Sequence, residues 1–200
     1  REIGLEADII LEPEGRNTAP AATLAALHAI ACGAEGDDDP LLLIMPADHV
    51  IRDVDAFHES LLVGMEAGCA GSLVTFGVVP TNAHTGYGYI EANAVSGTSA
   101  PVRSFVEKPD IETAVRMLES KRYFWNAGIF LFRAGIWLEE LKQFQSEIVA
   151  ACESSYEKAT SDAYFWRPDA ERFAATPSDS IDYAVMEKTI KAVVVPLDAG

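Results

Sequence analysis

The sequence predicts an α/β fold: a mainly parallel, doubly wound sheet flanked by helices. Three observations predict it. Residues 7–80 alternate short apolar runs with longer helix-like stretches, a β-α-β-α-β order. The runs "LLLIMPA" (41–47) and "SLVTFGVVP" (72–80) lack polar alternation, as strands buried on both faces do. Each apolar run closes on a proline, which cannot donate to a sheet ladder. Right-handed crossovers would gather the strands' carboxyl ends at one edge, where ligands of such sheets bind.

"ADIILEP" (7–13) reads as a short buried strand ended by Pro13. Asn17 or Thr18 can cap the next helix, with Pro20 in its first turn, and the Ala/Leu run carries it to Gly33. "AEGDDDP" (34–40) is a polar loop, and "LLLIMPA" is the second strand. Residues 53–71 form an amphipathic helix capped by Asp53 or Asp55 and leaving at Gly68 or Gly71. "SLVTFGVVP" is the third strand.

From residue 81 the texture changes. "TNAHTGYGYIEANA" is turn chemistry and then a strand, and "VRSFVEKP" (102–109) is a strand stopped by Pro109. "DIETAVRMLESK" (110–121) is a helix whose Asp110 and Glu112 favour its positive end. "YFWNAGIFLFRA" (123–134) is an aromatic strand, and residues 135–160 are helical. Residues 161–180 are loop-rich with some helix, "SIDYAVMEKT" (180–189) is a short helix capped by Ser180, and "KAVVVPL" (191–197) is the last strand. The expectation is one domain.

The 200 residues are 49% hydrophobic and 23% charged, with a formal charge of −16. Such acidity argues against nucleic acid or an anionic membrane as partner. A phosphate substrate would need local cations, a helix N-terminus or a metal to offset it. No apolar run is long enough to span a bilayer. Cys32, Cys69 and Cys152 show no CxxC or Cys/His metal spacing and read as free thiols in a reducing cytoplasm. The chain begins with Arg1 and stops just after "VVVPLDAG", so an internal piece of a longer protein is expected.

Several short motifs carry chemistry. Asp48, at a strand's carboxyl end behind Pro46, suits a hard divalent cation, or simply caps the helix after the strand. His49 beside it reads as structural. "GRNTAPA" (15–21) places Arg16, Asn17 and Thr18 at a helix N-terminus, a geometry that binds anions or a nucleotide edge; an ordinary cap explains Asn17 and Thr18 but not Gly15-Arg16. In "TGYGYI" (85–90), Gly86 and Gly88 would let backbone approach a ligand, although a hairpin turn explains them equally. "FVEKP" (105–109) offers Glu107 to sugar hydroxyls and Lys108 to a phosphate, unless the two are a solvated pair. Asn126 in "WNAGIF" has both a donor and an acceptor for a hydroxyl, or turns a bulge. No nucleophile–base pair emerges.

Taken together, "LEPEGRNTAPA", "MPADH", "TGYGYI", "FVEKP", "YFWNAGIFLFR" and "SIDYAVMEK" resemble the nucleotidyltransferase domain of bacterial mannose-1-phosphate guanylyltransferases. The resemblance implies a Rossmann-like, glycosyltransferase-A-like nucleotidyltransferase fold and a cytoplasmic enzyme, and it leaves room for a homo-oligomer. It implies transfer of GMP from GTP to α-D-mannose 1-phosphate with Mg²⁺. Asp48 would be a catalytic metal ligand, Lys108 would bind the sugar phosphate, Glu107 and Asn126 the mannose hydroxyls, and Gly88 would bring backbone against the sugar. Arg16, Asn17 and Thr18 would line the guanosine site. The family's opening Gly-rich signature and its later WxDVG-type turn, with a second metal-binding Asp, are absent from residues 1–200. The expectation is therefore a partial domain, inactive by itself. Another sugar-1-phosphate nucleotidyltransferase, or a non-catalytic sugar-nucleotide-binding module, would share much of the pattern.

Overall fold

"YFWNAGIFLFR" forms the longest strand, β7 (Tyr123–Arg133), and the main sheet is organised around it. The structure is a computed structural model describing residues 7–33 and 39–199, so the predicted loop 34–40 lies mostly outside the described residues. The chain divides into two compact units, residues 1–40 with 137–185, and residues 41–136 with 186–200.

The second unit holds the main sheet. Its strands are β2 (Leu41–Ile44), β3 (Leu73–Val78), β4 (Tyr89–Glu91), β5 (Ala100–Pro101), β6 (Ser104–Val106), β7 and β10 (Ala192–Leu197). They run in the order β5-β10-β3-β7-β4-β6, and β2 also pairs with β7. The carboxyl-terminal part of β7 pairs with β2 through Phe130–Arg133, and its amino-terminal part pairs with β4 through Tyr123–Trp125. A bulge separates the Gly77–Asn126 and Thr75–Phe130 pairs between β3 and β7.

The α/β class holds, but the sheet is mixed, not mainly parallel. Among the described residues of the main sheet, only the β10–β3 pairing is parallel. Polar alternation is absent from any strand buried on both faces, whichever way it runs, so the apolar runs reported burial and not direction. β2, β3 and β10 nevertheless share one direction, because β2 and β3 both oppose β7 and β10 parallels β3.

Helix α2 (Val54–Cys69) starts at Asp53, whose carboxylate accepts from the Ala56 N–H at 2.9 Å. It exits past Ala70 to Gly71, where φ of 92° requires the residue without a Cβ. The core beneath it joins Phe57 to Val74, Phe76, Leu131 and Val195. Removing a fully buried Phe such as Phe76 would cost about 3–5 kcal/mol. Helix α3 (Ile111–Ser120) sets Ala114 and Met117 against Tyr89.

The first unit is helical, with α1 (Thr18–Cys32), α5 (Ser146–Glu157), α6 (Ala170–Ala174) and most of α4 (Ala134–Phe144). The predicted helix 135–160 breaks into α4 and α5 at Gln145, whose φ of −146° is extended. Trp137 is wholly buried, and its Nε1–H donates to Thr23 Oγ1 at 3.1 Å. A small sheet in the order β1-β9-β8 joins β1 (Ile9–Ile10), β9 (Phe165–Arg167) and β8 (Thr160–Asp162). The expectation of "ADIILEP" as a buried strand beside β2 and β3 is therefore corrected. β1 is two residues long and pairs with β9, and Ile9 and Leu11 are exposed.

Candidate functional site

Pro46 ends the ladder of β2, and the turn after it carries Asp48 and His49, both exposed. Asp198 follows β10 directly. Because β2 and β10 run the same way, both carboxylates leave the sheet at its carboxyl edge. They line one cavity of about 750 Å³ with His49, Trp125, Ala127 and Leu197. The Trp125 indole N–H is buried and has no hydrogen-bond partner among the described residues. A buried donor left so is about 1–3 kcal/mol more costly than a bonded one, and a ligand acceptor would satisfy it. A second cavity of about 840 Å³ shares Val79, Thr81, Leu197 and Asp198 with the first and contains none of the predicted site residues.

Four predicted residues are brought together on the antiparallel side of the sheet. Asn126 on β7 donates its backbone N–H to the Gly88 carbonyl at 2.9 Å. A Cβ at Gly88 would lie 2.6 Å from Glu107 Oε2, so a larger residue there would move that carboxylate from its present place. Glu107 pairs with Lys108 Nζ at 3.2 Å. Lys108 has φ of 48°, and this left-handed residue before Pro109 turns the chain so that the two charges meet. The Asn126 Oδ1 accepts from the buried Thr75 hydroxyl at 3.0 Å and from the Gly128 N–H at 3.1 Å. Trp125 and Ala127, its neighbours on β7, wall the Asp48 cavity.

Arg16, Asn17 and Thr18 lie in the other compact unit. Asn17 has φ of 69° and ψ of −171°, a region nearly reserved for glycine and costing on the order of 1–3 kcal/mol. Its side chain accepts from the Thr18 N–H at 2.8 Å. The Ala19 N–H donates to the Asp179 carbonyl, and the Ile181 N–H donates to Thr18 Oγ1. The motifs around 17 and 180 thus meet, and much of the helix's positive end is already engaged within the chain. Arg16 donates to Glu14 Oε1 at 2.8 Å and to the Ala174 carbonyl, while its buried Nε has no partner among the described residues.

Three candidate features escaped the sequence reading. Asp198 carried the same strand-end signal as Asp48 and could have been found by it. Trp125 read as core because an orphaned N–H is visible only in three dimensions. His28 and Cys32, spaced i, i+4 on α1, do form Cys/His ligand spacing, contrary to expectation; their side chains and Asp8 lie within 4.8 Å of one another. His49 is corrected too: it is exposed at the cavity, not packed as a structural ring. The three thiols are free, as expected. Among the described residues no helix is long and apolar enough to cross a membrane.

Carboxylates at the strand ends of an open α/β sheet, over a large cavity and beside a glycine-cleared polar cluster, define a ligand-binding domain of the strand-end class. The nucleotidyl transferase family profile matches residues 1–172, and the chain belongs to that family. The family uses nucleoside triphosphate and sugar-1-phosphate substrates and generally a divalent metal. The chain is 57% identical to xanthan biosynthesis protein XanB of Xanthomonas campestris pv. campestris, over 96% of its own length and 40% of the relative's. It is 51% identical to a mannose-1-phosphate guanylyltransferase of Escherichia coli, over 98% and 42%. A solved structure described as mannose-6-phosphate isomerase from Helicobacter pylori matches at a TM-score of 0.86 and 31% identity, covering 100% of this chain and 75% of that one. The chain thus spans about two fifths of the curated relatives' length.

Proposed function

We propose that this chain carries the GMP-transfer chemistry of GDP-mannose synthesis, in which GTP and α-D-mannose 1-phosphate give GDP-mannose and pyrophosphate. The observation that carries the reading is the meeting of Gly88, Glu107 and Asn126, from three separate segments, with Lys108 paired to Glu107. Glu107 accepts hydrogen bonds from mannose hydroxyls, and Asn126 adds its amide to them. Gly88 lets the backbone approach the sugar. Lys108 breaks its pair with Glu107 and takes the sugar phosphate as a point charge. Trp125 donates its indole N–H to a ligand oxygen. Arg16, Asn17 and Thr18 line the guanosine site, with the orphaned Arg16 Nε as their available donor.

Asp48 fits a hard cation by its donor chemistry: its carboxylate is exposed at the cavity, and no ion pair or hydrogen bond engages it among the described residues. Mg²⁺ bound there would clamp the phosphates and offset charge developing in transfer. The attacking group is a phosphate oxygen of mannose 1-phosphate, in line with the α-phosphorus. No side chain has to act as a nucleophile, so the chain contributes position and electrostatics.

The test is nucleotide choice in the full-length protein with mannose 1-phosphate and Mg²⁺. GTP should give GDP-mannose at least about tenfold more efficiently than UTP, dTTP or ATP, a margin of about 1.4 kcal/mol. Preference for another nucleotide would reassign the substrate, and binding without turnover would refute the enzyme reading.

A further inference from the structure

The first unit holds a cluster that the transferase chemistry leaves unused. His28 and Cys32 stand one turn apart on α1, and Asp8 stands just before β1. Asp8 Oδ2 is 3.0 Å from His28 Nε2, and Cys32 Sγ is 3.7 Å from the same nitrogen. Different parts of the unit hold the Asp8 segment and the His28 ring. The Ile9 and Leu11 N–H groups donate to the Tyr164 and Trp166 carbonyls, which holds the Asp8 segment. The His28 ring is buried and meets the stacked Tyr156 and Trp166 rings edge-on, 4.7 Å from the Trp166 ring centroid. Cys32 is exposed in the last helical turn, where its side chain can rotate.

We propose that Asp8, His28 and Cys32 form a binding site for a borderline divalent cation of the Zn²⁺ type. Imidazole, thiolate and carboxylate together suit that class rather than Mg²⁺. Ligand bonds of about 2.0–2.3 Å in a tetrahedron separate the donor atoms by roughly 3.3–3.6 Å. The two printed separations, 3.0 Å and 3.7 Å, bracket that range, and all three donor atoms lie within 4.8 Å of one another; Cys32 Sγ, also 3.8 Å from His28 Nδ1, would rotate toward Nε2 to complete the set. His28 Nδ1 lies 3.0 Å from the Tyr156 hydroxyl, the outer hydrogen bond that orients a metal-bound imidazole. The two exposed donors leave the fourth position to water. Such an ion would pin the Asp8 segment to α1. The site lies in the last turns of that helix, away from the Arg16–Thr18 end, so its role is structural and independent of the proposed transfer chemistry.

The test is Co²⁺ titration of the 200-residue chain in excess Mg²⁺ with a thiol-free reductant. The expected result is one equivalent bound with a thiolate-to-cobalt charge-transfer band, displaced by Zn²⁺. Cys32→Ser should abolish the band with an unchanged far-ultraviolet circular dichroism spectrum, and Cys69→Ser should keep it. Cys152 is no rival source, since its thiol is wholly buried against the Pro20 carbonyl. Tyr156→Phe should weaken Co²⁺ binding about 10–100-fold. Absence of the band in the unaltered chain, or its persistence in Cys32→Ser, would overturn the site.

Discussion

Two regions of the main sheet handle polar groups in opposite ways. At the carboxyl ends of β2 and β10, Asp48 and Asp198 stand at an open cavity, and Asp48 has no partner among the described residues. Beside the amino-terminal half of β7, Glu107 and Asn126 are held by neighbours: Lys108, the space at Gly88, the Thr75 hydroxyl and the Gly128 N–H. An unpaired carboxylate in water costs little and keeps its charge available for a cation. A group that must recognise a neutral hydroxyl gains from fixed direction, and fixing it requires packing and backbone strain, as at Lys108. Under the proposed function, the open edge would take metal and phosphate and the closed cluster the sugar.

The largest expected effect lies at the open edge. Asp48→Ala should lower kcat of the full-length protein with Mg²⁺ by more than about a hundredfold, with sugar-phosphate affinity little changed. Near-normal turnover would remove the edge from the reaction and break the contrast. A smaller effect belongs to the cluster. Gly88→Ala drives a Cβ to within 2.6 Å of Glu107 Oε2 and must displace the carboxylate. The KM for mannose 1-phosphate should rise about tenfold, equivalent to about 1.4 kcal/mol, while the KM for GTP stays put. A parallel rise in both would show that the cluster is not specific to the sugar.

The open edge was legible in the sequence because its logic is local and directional. An apolar run, a proline and then a carboxylate places Asp48 at a strand end, and the same pattern in "VVVPLD" places Asp198. The caps Asn17, Asp53 and Ser180 were legible for the same reason. The closed cluster was legible only as separate motifs. Thr75 sits in an unbroken apolar strand and reads as filler until its hydroxyl is seen to reach Asn126, which pairs with Gly77 on the other side of the bulge. Strand direction was hidden, since "YFWNAGIFLFR" is equally apolar read either way along a buried sheet. β8 and β9 were hidden by brevity: at three residues each they show no period.

Thr75→Val sharpens the comparison further. It keeps the shape and removes one of the donors to Asn126 Oδ1 in a buried setting. Unfolding stability should fall by about 1 kcal/mol by denaturant titration, because the Gly128 N–H still satisfies part of the acceptor. If the cluster works by fixed direction, the mutant should also lose sugar-phosphate affinity more than GTP affinity. Lost stability with unchanged kinetics would make Thr75 a packing residue only.

The smallest effect concerns what holds the Lys108 turn. Two residues later, Asp110 caps α3, its carboxylate accepting from the Thr113 N–H at 2.7 Å. That hydrogen bond, then the Thr113 hydroxyl and the nearby Arg116, hold its carboxyl below the ordinary aspartate value. A folded pKa below the unfolded one stabilises above the unfolded value and loses that contribution as pH falls through the folded one. Asp110→Asn keeps a capping oxygen and removes the charge. The stability difference between wild type and Asp110→Asn should therefore be present at neutral pH, begin to fade near about pH 4, and vanish at more acid pH, followed by thermal midpoint. Neutral-pH sugar-phosphate affinity should hardly change, since an Asn cap still anchors the turn. A large loss of affinity in Asp110→Asn at neutral pH would mean that the carboxylate itself, and not the cap geometry, sets the Lys108 position, and the cluster would then depend on charge as the open edge does.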